Sequence, residues 1–467
     1  MIEERPSKHG DGPDSKPAAN GAPSAKSSAP EVAPFSSWGR YPKHRSTLVK
    51  VNAPQDFANR LAELDVAVLP VGMGRSYGDS CLLHEGTLLS TGGMNRVISF
   101  DPVTGLLKAE AGISLAEILD FAVPRGFFLP VTPGTKYVSL GGAIANDIHG
   151  KNHHVAGCFG NHILEFELVR SDGSKRLCSP TENTDWFNAT ISGLGLTGAI
   201  TWAALRLMPI VSRSIEQEAI QFHGINEFLE LAKASQHLDY TVSWIDCTSE
   251  GKNFARGVYM QGVHSTTPGP LEPSKRPKLT FPFDAPSFAL NRTTVSLFNT
   301  LYFHKQIKPR IKNTVDYEPF FYPLDQVLEW NRLYGKRGLL QFQCVIPWES
   351  AREGIDAILA KISDSGLASF LSVLKVFGDV PSRGLISFPM PGITLALDLP
   401  IKPDRSLPLY SRLAEMTRNY GGRLYPAKDA AMTGSQFRDF YPRWEELESL
   451  RDPKITSSFW RRVAVDS

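Results

Sequence analysis

The feature that most constrains this chain is the stretch 134–162, which packs Gly134, Gly141, Gly142, Gly150, Gly157 and Gly160 among four histidines, two lysines and four Asn or Asp residues. It offers few long apolar side chains to bury, so it is expected to lie outside the core elements. Glycines at this density let backbone N–H groups approach a ligand with no Cβ in the way, and the ligand such a surface suits is an anion. A Gly/Ser linker would not carry this much imidazole and amide.

The remainder must supply a frame for that surface. A chain of 467 residues, 42% hydrophobic and 10% aromatic, has material for two or more packed domains. Lys+Arg 50 against Asp+Glu 48 leaves no overall field for nucleic acid, so anion binding has to be local. Cys81, Cys158, Cys178, Cys247 and Cys344 form no CxxC pair, which argues against a disulfide framework or a metal site and for a reducing compartment. No apolar run approaches the roughly 18 residues of a membrane span. The N-terminus also lacks a signal-peptide pattern. A cytoplasmic protein, or one peripheral on the cell membrane, is expected.

Residues 1–33, rich in Pro, Ser, Ala and Gly, read as a disordered tail. Strands at 46–51 and 66–71 flank a helix at 54–64, a βαβ unit whose exit is the glycine loop 72–80. Its spacing is not GxGxxG opening a helix, so a Rossmann dinucleotide fold is not expected. Strands at 97–101 and 106–111 follow, then a helix at 114–123 with Ser114 and Glu117 as a capping box. A strand at 163–170, a turn at Asp172-Gly173 and a return strand at 175–179 form a hairpin. A helix at 181–191, a third glycine loop at 193–198 and a strand at 199–208 complete the region. Three glycine loops within a single domain-sized region converge most simply on one long ligand.

Beyond residue 209 a second α+β region begins, with a strand at 215–222, a helix at 225–235 and a strand at 240–246. Helices at 324–334 and 349–365 then alternate with strands at 338–346, 369–377 and 393–399. Gln341 and Gln343 share one strand face, as do Leu371, Val373 and Lys375. A lysine on an inner strand face implies an anion or carboxylate opposite it. Residues 264–290 place six prolines beside Lys275, Arg276, Lys278, Phe281, Phe283 and Phe288. This composition suits either contact with anionic lipid headgroups or a surface loop packed by its own phenylalanines.

Several strings carry a family resemblance. Gly74-Arg75-Ser76-Tyr77-Gly78-Asp79, Pro133-Gly134-Thr135, the segment 140–154, Gly160-Asn161-His162 and Gly195-Leu196-Thr197-Gly198 are similar to the PCMH-type FAD-binding domain of the vanillyl-alcohol-oxidase superfamily. With Phe321-Tyr322-Pro323-Leu324-Asp325, Glu329-Trp330-Asn331-Arg332, Gln341-Phe342-Gln343, the string from Asp398 to Lys402 and Arg423-Leu424-Tyr425-Pro426-Ala427-Lys428-Asp429, the chain resembles the decaprenylphosphoryl-β-D-ribose oxidase family. The resemblance implies an α+β fold: a two-subdomain FAD-binding domain at 34–208, and an α+β substrate (cap) domain at 209–420 with an antiparallel sheet over the flavin. A C-terminal segment at 421–467 returns to the first domain.

It also implies FAD as cofactor. The residues expected to line it are Pro70, Val71, Gly72, Met73, Gly74, Arg75, Ser76, Tyr77, Gly78, Asp79, Ser80, Gly134, Ser139, Leu140, Gly141, Gly142, Asn146, Asp147, Ile148, His149, Ile200 and Tyr425. The FAD is expected to be non-covalent, because Arg75 stands where covalently flavinylated relatives often carry histidine. The implied activity is oxidation of the 2′-hydroxyl of a polyprenyl-phosphoryl pentofuranose to a ketone. That would be the first half of an epimerisation completed by a short-chain dehydrogenase/reductase partner, leading to an arabinan precursor of the cell wall. Two alternatives stay open: an aldonolactone or sugar-alcohol oxidase, and a flavin-binding envelope scaffold without turnover.

Lys428 is the expected base, with His149 as rival. Lys151, Gln343, Lys375, Tyr322, Thr394 and Ala396 are expected around the substrate. Ala396 takes a position where well-known members have cysteine, Thr394 one where they have asparagine, and Phe321 one where they have tyrosine, so the pocket is expected to lack a reactive thiol.

Overall fold

The computed structural model describes residues 35–272, 279–286 and 288–465. The expected tail at 1–33 and the basic residues Lys275, Arg276 and Lys278 lie outside them.

Three main sheets account for most of the apolar alternation. The first is parallel, in the order Ser46–Lys50, Gly86–Ser90, Val68–Val71. The expected βαβ unit keeps its parallel sense, but the unforeseen strand Gly86–Ser90 lies between its two strands. The helix Pro54–Glu63 buries Phe57 and Leu61 and starts on a proline, which needs no amide partner in the first turn. The second sheet is antiparallel, in the order Val97–Phe100, Leu106–Glu110, Ala199–Arg206, Ile163–Val169, Lys175–Cys178. Against it packs the helix Leu115–Ala122, whose Ser114 and Glu117 form the expected capping box, a device worth about 1 kcal/mol.

The glycine-histidine stretch departs from expectation. It is not excluded from the core: Leu140, Ile144 and Phe159 are fully buried in the cluster under the second sheet. The stretch folds as short helical pieces, Leu140–Ala145, His153–Ala156 and Phe159–His162. A few apolar side chains at helical spacing are enough to anchor it, because the glycines let the backbone sit close. Gly141 places its N–H on Ala111 O at 2.7 Å.

The third sheet is antiparallel, with eight strands ordered Arg310–Asp316, Ser214–His223, Arg256–His264, Tyr240–Ile245, Ser372–Phe377, Gly392–Pro400, Leu339–Pro347, Arg423–Leu424. Its last strand lies past the boundary expected at 420. Helices Gly224–Ala234, Ala351–Asp364 and Pro403–Asn419 cover one face, joining Phe342, Leu374, Leu395 and Leu397 in a single core. Because side chains alternate along a strand, Gln341, Gln343, Val373, Lys375, Ala396 and Asp398 all point to the other face.

The helix expected at 324–334 is broken. The chain makes tight turns at Pro323–Gln326 and Trp330–Tyr334 with a short strand Val327–Leu328 between them, paired to Leu279–Thr280. Glu329 adopts φ 56°, and the Asp325 carboxylate accepts from Lys136 N at 2.9 Å, so tertiary partners override the apolar spacing.

The C-terminal residues turn back on the first sheet. Val68 N donates to Lys454 O at 2.9 Å, Thr456 N donates to Val68 O at 3.0 Å, and Phe459 and Trp460 are fully buried. Among the described residues no helix is long and apolar enough to cross a membrane.

Candidate active site

A cavity of about 360 Å³ opens between the glycine loops and the uncovered face of the eight-stranded sheet. The loop after Val68–Val71 forms one wall. Among the described residues, the backbone N–H groups of Met73, Gly74, Arg75 and Ser76 have no hydrogen-bond acceptor. Gly74 takes the left-handed φ of +62°, and a turn with successive unpaired amides is suited to cradle a phosphate or pyrophosphate. A Cβ on Gly72 would stand 2.0 Å from Ser139 Oγ, so two loops meet there at a distance glycine alone permits. At Gly134 a Cβ would meet nothing within 4 Å, because that glycine faces the open cavity.

The opposite wall is the cap sheet. Gln341, Gln343, Leu371, Val373, Lys375 and Ala396 line the cavity, joined by Val242. His149 projects between the walls, 7% exposed, with its ring 4.9 Å from Phe377 and 5.3 Å from Tyr425. Gln343 Nε2 donates to His149 Nε2 at 3.1 Å, so the ring proton sits on Nδ1, which is buried without a partner and free to donate to a ligand. Burial, aided by Lys375 and His153, holds this imidazole neutral, well below its ordinary value.

Three lysines share the cavity. Burial lowers the Lys151 ammonium to about 8. Burial, with Lys151 and Lys428 adding repulsion, lowers Lys375 to about 7. Burial also lowers Lys428 to about 8 against the opposing pull of Asp398, and its Nζ sits 3.9 Å above the Tyr77 ring. Asp398 is pushed up to about 7 by burial and accepts from Gln341 Nε2 at 2.6 Å. An enclosed space with this excess of cationic groups suits an anionic ligand.

Lys428 is fixed from behind. Arg462 Nη2 lies 2.7 Å from Asp79 and 2.9 Å from Asp429, clasping the first glycine loop to the turn that carries Lys428. Tyr410 O–H donates to Asp429 at 2.7 Å, and Tyr77 N donates to Ala427 O at 3.0 Å. The two walls are also joined by the buried ion pair of Lys136 with Glu318.

Most sequence-expected residues meet in this cavity: Pro70 to Tyr77, Ser80, Gly134, Ser139, Gly141, Gly142, Asn146, Ile148, His149, Ile200 and Tyr425 from the cofactor set, and Lys151, Gln343, Lys375, Ala396 and Lys428. Six do not line it. Gly78 abuts Asp429 O, where a Cβ would come within 1.6 Å, and Asp79 is engaged by Arg462. Leu140 belongs to the core. Asp147 is buried, accepting from Gly160 N at 2.8 Å and Ser387 Oγ at 2.6 Å. Tyr322 is fully buried, its hydroxyl 2.6 Å from Thr132 Oγ1, while Phe321 beside it reaches the cavity. Thr394 stands behind Gln343, accepting from its Nε2 at 3.4 Å.

The lining also includes Trp38, Val242, Glu329 and Trp330, which sequence reasoning did not assign. For Trp330 the signal was present in the Glu329-Trp330-Asn331-Arg332 string; for Trp38 and Val242 there was none. Cys81 lines the cavity as well, so a thiol is present despite Ala396. Burial and Asp79 push it up to about 12, which keeps it protonated and unreactive near neutral pH.

Comparison with known proteins fits this geometry. A family model described as an FAD binding domain matches residues 48–179, which contain the first two glycine segments. Decaprenylphosphoryl-beta-D-ribose oxidase of Mycolicibacterium smegmatis is 34% identical over 455 residues, covering 92% of this chain and 96% of that protein. The chain belongs to the decaprenylphosphoryl-β-D-ribose oxidase family. As a member of it, the protein is an FAD-dependent oxidoreductase. An uncharacterised protein of Streptomyces coelicolor is 28% identical over 380 residues, 76% of this chain and all (100%) of that one. D-arabinono-1,4-lactone oxidase of Yarrowia lipolytica is 26% identical over 189 residues, only 39% of this chain and 36% of its own length. Likeness to the ribose oxidase family thus extends through the cap sheet, whereas the lactone oxidase shares a part.

The residues present fit FAD. The unpartnered amides of 73–76 suit its pyrophosphate, the Cβ-free approach at Gly134 leaves room beside them, and the free Nδ1 of His149 supplies a donor deeper in the cavity.

Proposed function

We propose that this oxidase acts on a polyprenyl-phosphoryl pentofuranose of the decaprenylphosphoryl-β-D-ribose type, converting the 2′-hydroxyl to a ketone. The observation that carries the reading is the convergence of Lys151, Lys375 and Lys428 in one enclosed cavity with the FAD loops. A neutral lactone would give Lys151 and Lys375 no anion to pair with, whereas a phosphodiester offers one and favours their charged forms. The named relative's substrate and its match over 92% of the chain support the same conclusion.

Bound FAD supplies the acceptor for the hydride removed from the alcohol. Lys428, lowered to about 8, is neutral in a useful fraction near pH 7 to 8 and takes the hydroxyl proton. His149 donates through Nδ1 and is held in that tautomer by Gln343. Lys375 and Lys151 hold the phosphodiester, and Gln341 and Gln343 face the sugar hydroxyls. The loops 70–77 and 134, with Ser139 to Gly142 and Tyr425, hold the cofactor. No histidine bonds it at Arg75, so it is dissociable and acid precipitation releases its colour into the supernatant.

The keto product calls for a short-chain reductase that returns the opposite epimer, placing the pair in the supply of an arabinan precursor for the cell wall, at or near the cell membrane. Anaerobic mixing with the lipid-linked ribose, an aldonolactone or neither, followed by flavin absorbance, tests the substrate. Bleaching by the ribose alone is expected. Bleaching by the lactone alone would assign a free-sugar oxidase, and bleaching by neither a scaffold.

A further inference from the structure

The helix Arg292–His304 carries apolar residues on its outer side as well as its inner one. Its inner side, Val295, Asn299 and Phe303, is buried, yet its outer side carries Leu297, Phe298, Leu301 and Tyr302, exposed by 60%, 46%, 63% and 37%. These four fall within one 140° arc at the helical angle of about 100° per residue. Ile307, 91% exposed, and Phe288, 77% exposed, extend the apolar surface at either end. Scattered exposed apolar residues are ordinary; a contiguous helix face marks a binding surface.

Charge names the occupant. From 291 to 315 the sequence contains no acidic residue but has Arg292, Lys305, Lys308, Arg310 and Lys312. Arg292 pairs with Glu250, and Arg310 and Lys312 share Glu218. Lys305 and Lys308, both exposed, have no ion-pair partner among the described residues. Lys305 falls inside the apolar arc, where its stem can lie along the leucines while the ammonium reaches a headgroup. Apolar side chains on one face with bases among them and no acid match an interface containing anionic lipid.

Position ties this face to the cavity. Val242 lines the cavity, and Trp244, two residues along the same strand and on the same face, packs against Tyr302 at 4.7 Å. Phe298 packs on Phe370 at 5.8 Å, next to Leu371 of the cavity wall. Helix and cavity therefore lie on one side of the cap sheet.

We propose that the outer face of the helix Arg292–His304 docks this oxidase on a bilayer surface bearing anionic lipid. The docking stands on the face itself; its use, presenting the cavity to a substrate whose prenyl tail stays in the membrane, rests on the substrate proposed above.

Flotation of the FAD-loaded protein with vesicles of phosphatidylcholine, alone or mixed with phosphatidylglycerol, tests it without any sugar substrate, so its outcome is separate from that of the turnover assay. The protein should float with the mixed vesicles. L297E/L301E should lower the bound fraction at least tenfold, and K305E/K308E should lower it by about fivefold per lysine and remove the preference for the anionic lipid. An unchanged flavin spectrum reports that each variant is folded. Failure of the unaltered protein to float, or variants that float as well as it does, would overturn the proposal. So would conversion of a dimer to a monomer by L297E/L301E with no vesicle binding in either, which would assign the face to a second copy.

Discussion

The glycine backbone of the loops and the cluster of three lysines face the same cavity but build it from opposite materials. In the first glycine loop the chemistry is in the backbone: the amides of 73–76 have no acceptor among the described residues. The lysine cluster works through long side chains from three segments, Lys151 of the glycine-histidine stretch, Lys375 of the cap sheet and Lys428 of the C-terminal turn, whose charges depend on burial and, for Lys375, on the other two. Holding a constant diphosphate-like anion needs no proton exchange, so fixed dipoles serve. Removing a proton from an alcohol does need it, so desolvated lysines serve there. The division predicts that changes to the lysines alter turnover and pH behaviour, and changes to the glycine backbone alter cofactor affinity.

The largest effect is expected at Lys428. Lys428→Met should lower the rate of flavin reduction by about 10³-fold or more while leaving FAD bound, read by anaerobic stopped-flow absorbance. Normal bleaching in that variant would remove the lysine from the chemistry and blur the distinction between the walls. Arg462→Met comes next, because it leaves Asp79 and Asp429, at 3% and 0% exposure, buried without their cation. A loss of about 3 kcal/mol or more is expected in urea unfolding. Because the clasp serves both walls, FAD affinity and turnover should fall together.

A smaller effect concerns pH. In the FAD-free protein Lys375 sits at about 7 and Lys151 and Lys428 at about 8, all below the 10.5 of an unfolded lysine. From pH 7 to 9 these three lysines therefore hold more protons in the unfolded chain than in the folded one, so stability rises with pH over that interval. The slope is at most about 1.4 kcal/mol per pH unit for each lysine. Urea midpoints at pH 7 and 9 would check the sign; a fall over that interval would mean the lysines are solvated and charged. The smallest stability change is expected for Gly134→Ala, whose Cβ would meet nothing within 4 Å. Unfolding should shift by no more than about 0.5 kcal/mol. FAD titration should nevertheless show affinity about tenfold weaker, since the methyl occupies space the cofactor needs. Unchanged affinity would show that close backbone approach is not what this wall provides.

The parts of the fold that were legible in the sequence were those specified by neighbours along the chain. The Ser114/Glu117 capping box and the Asp172-Gly173 hairpin are local, and both stand as read. The strand Gly86–Ser90 and the broken segment around Glu329 depend on partners far away, Ser46–Lys50 in one case and Leu279–Thr280 in the other, and no periodicity announces such pairings. The same holds within the site. The motif strings brought most of the lining together, but a string does not say which way each side chain turns. Asp79 and Asp147 sit inside glycine-rich runs yet turn to structural partners, and Tyr322 points to Thr132 while its neighbour Phe321 takes the cavity. Asp398 was quoted only as part of a string, because its contact with Gln341 arises from strand register across 57 residues.

The Arg462 clasp has a consequence for how the polypeptide is made. Asp79 leaves the ribosome 383 residues before the arginine that neutralises it, a delay on the order of 20 to 80 s at ordinary elongation speeds. Until then the nascent chain carries the Asp79 carboxylate with no counter-charge, joined by that of Asp429 only over the last 33 residues, and the flavin loop cannot be locked to the turn behind it. Assembly of a competent redox centre is thereby deferred until that arginine has emerged, however early the glycine loops themselves take shape.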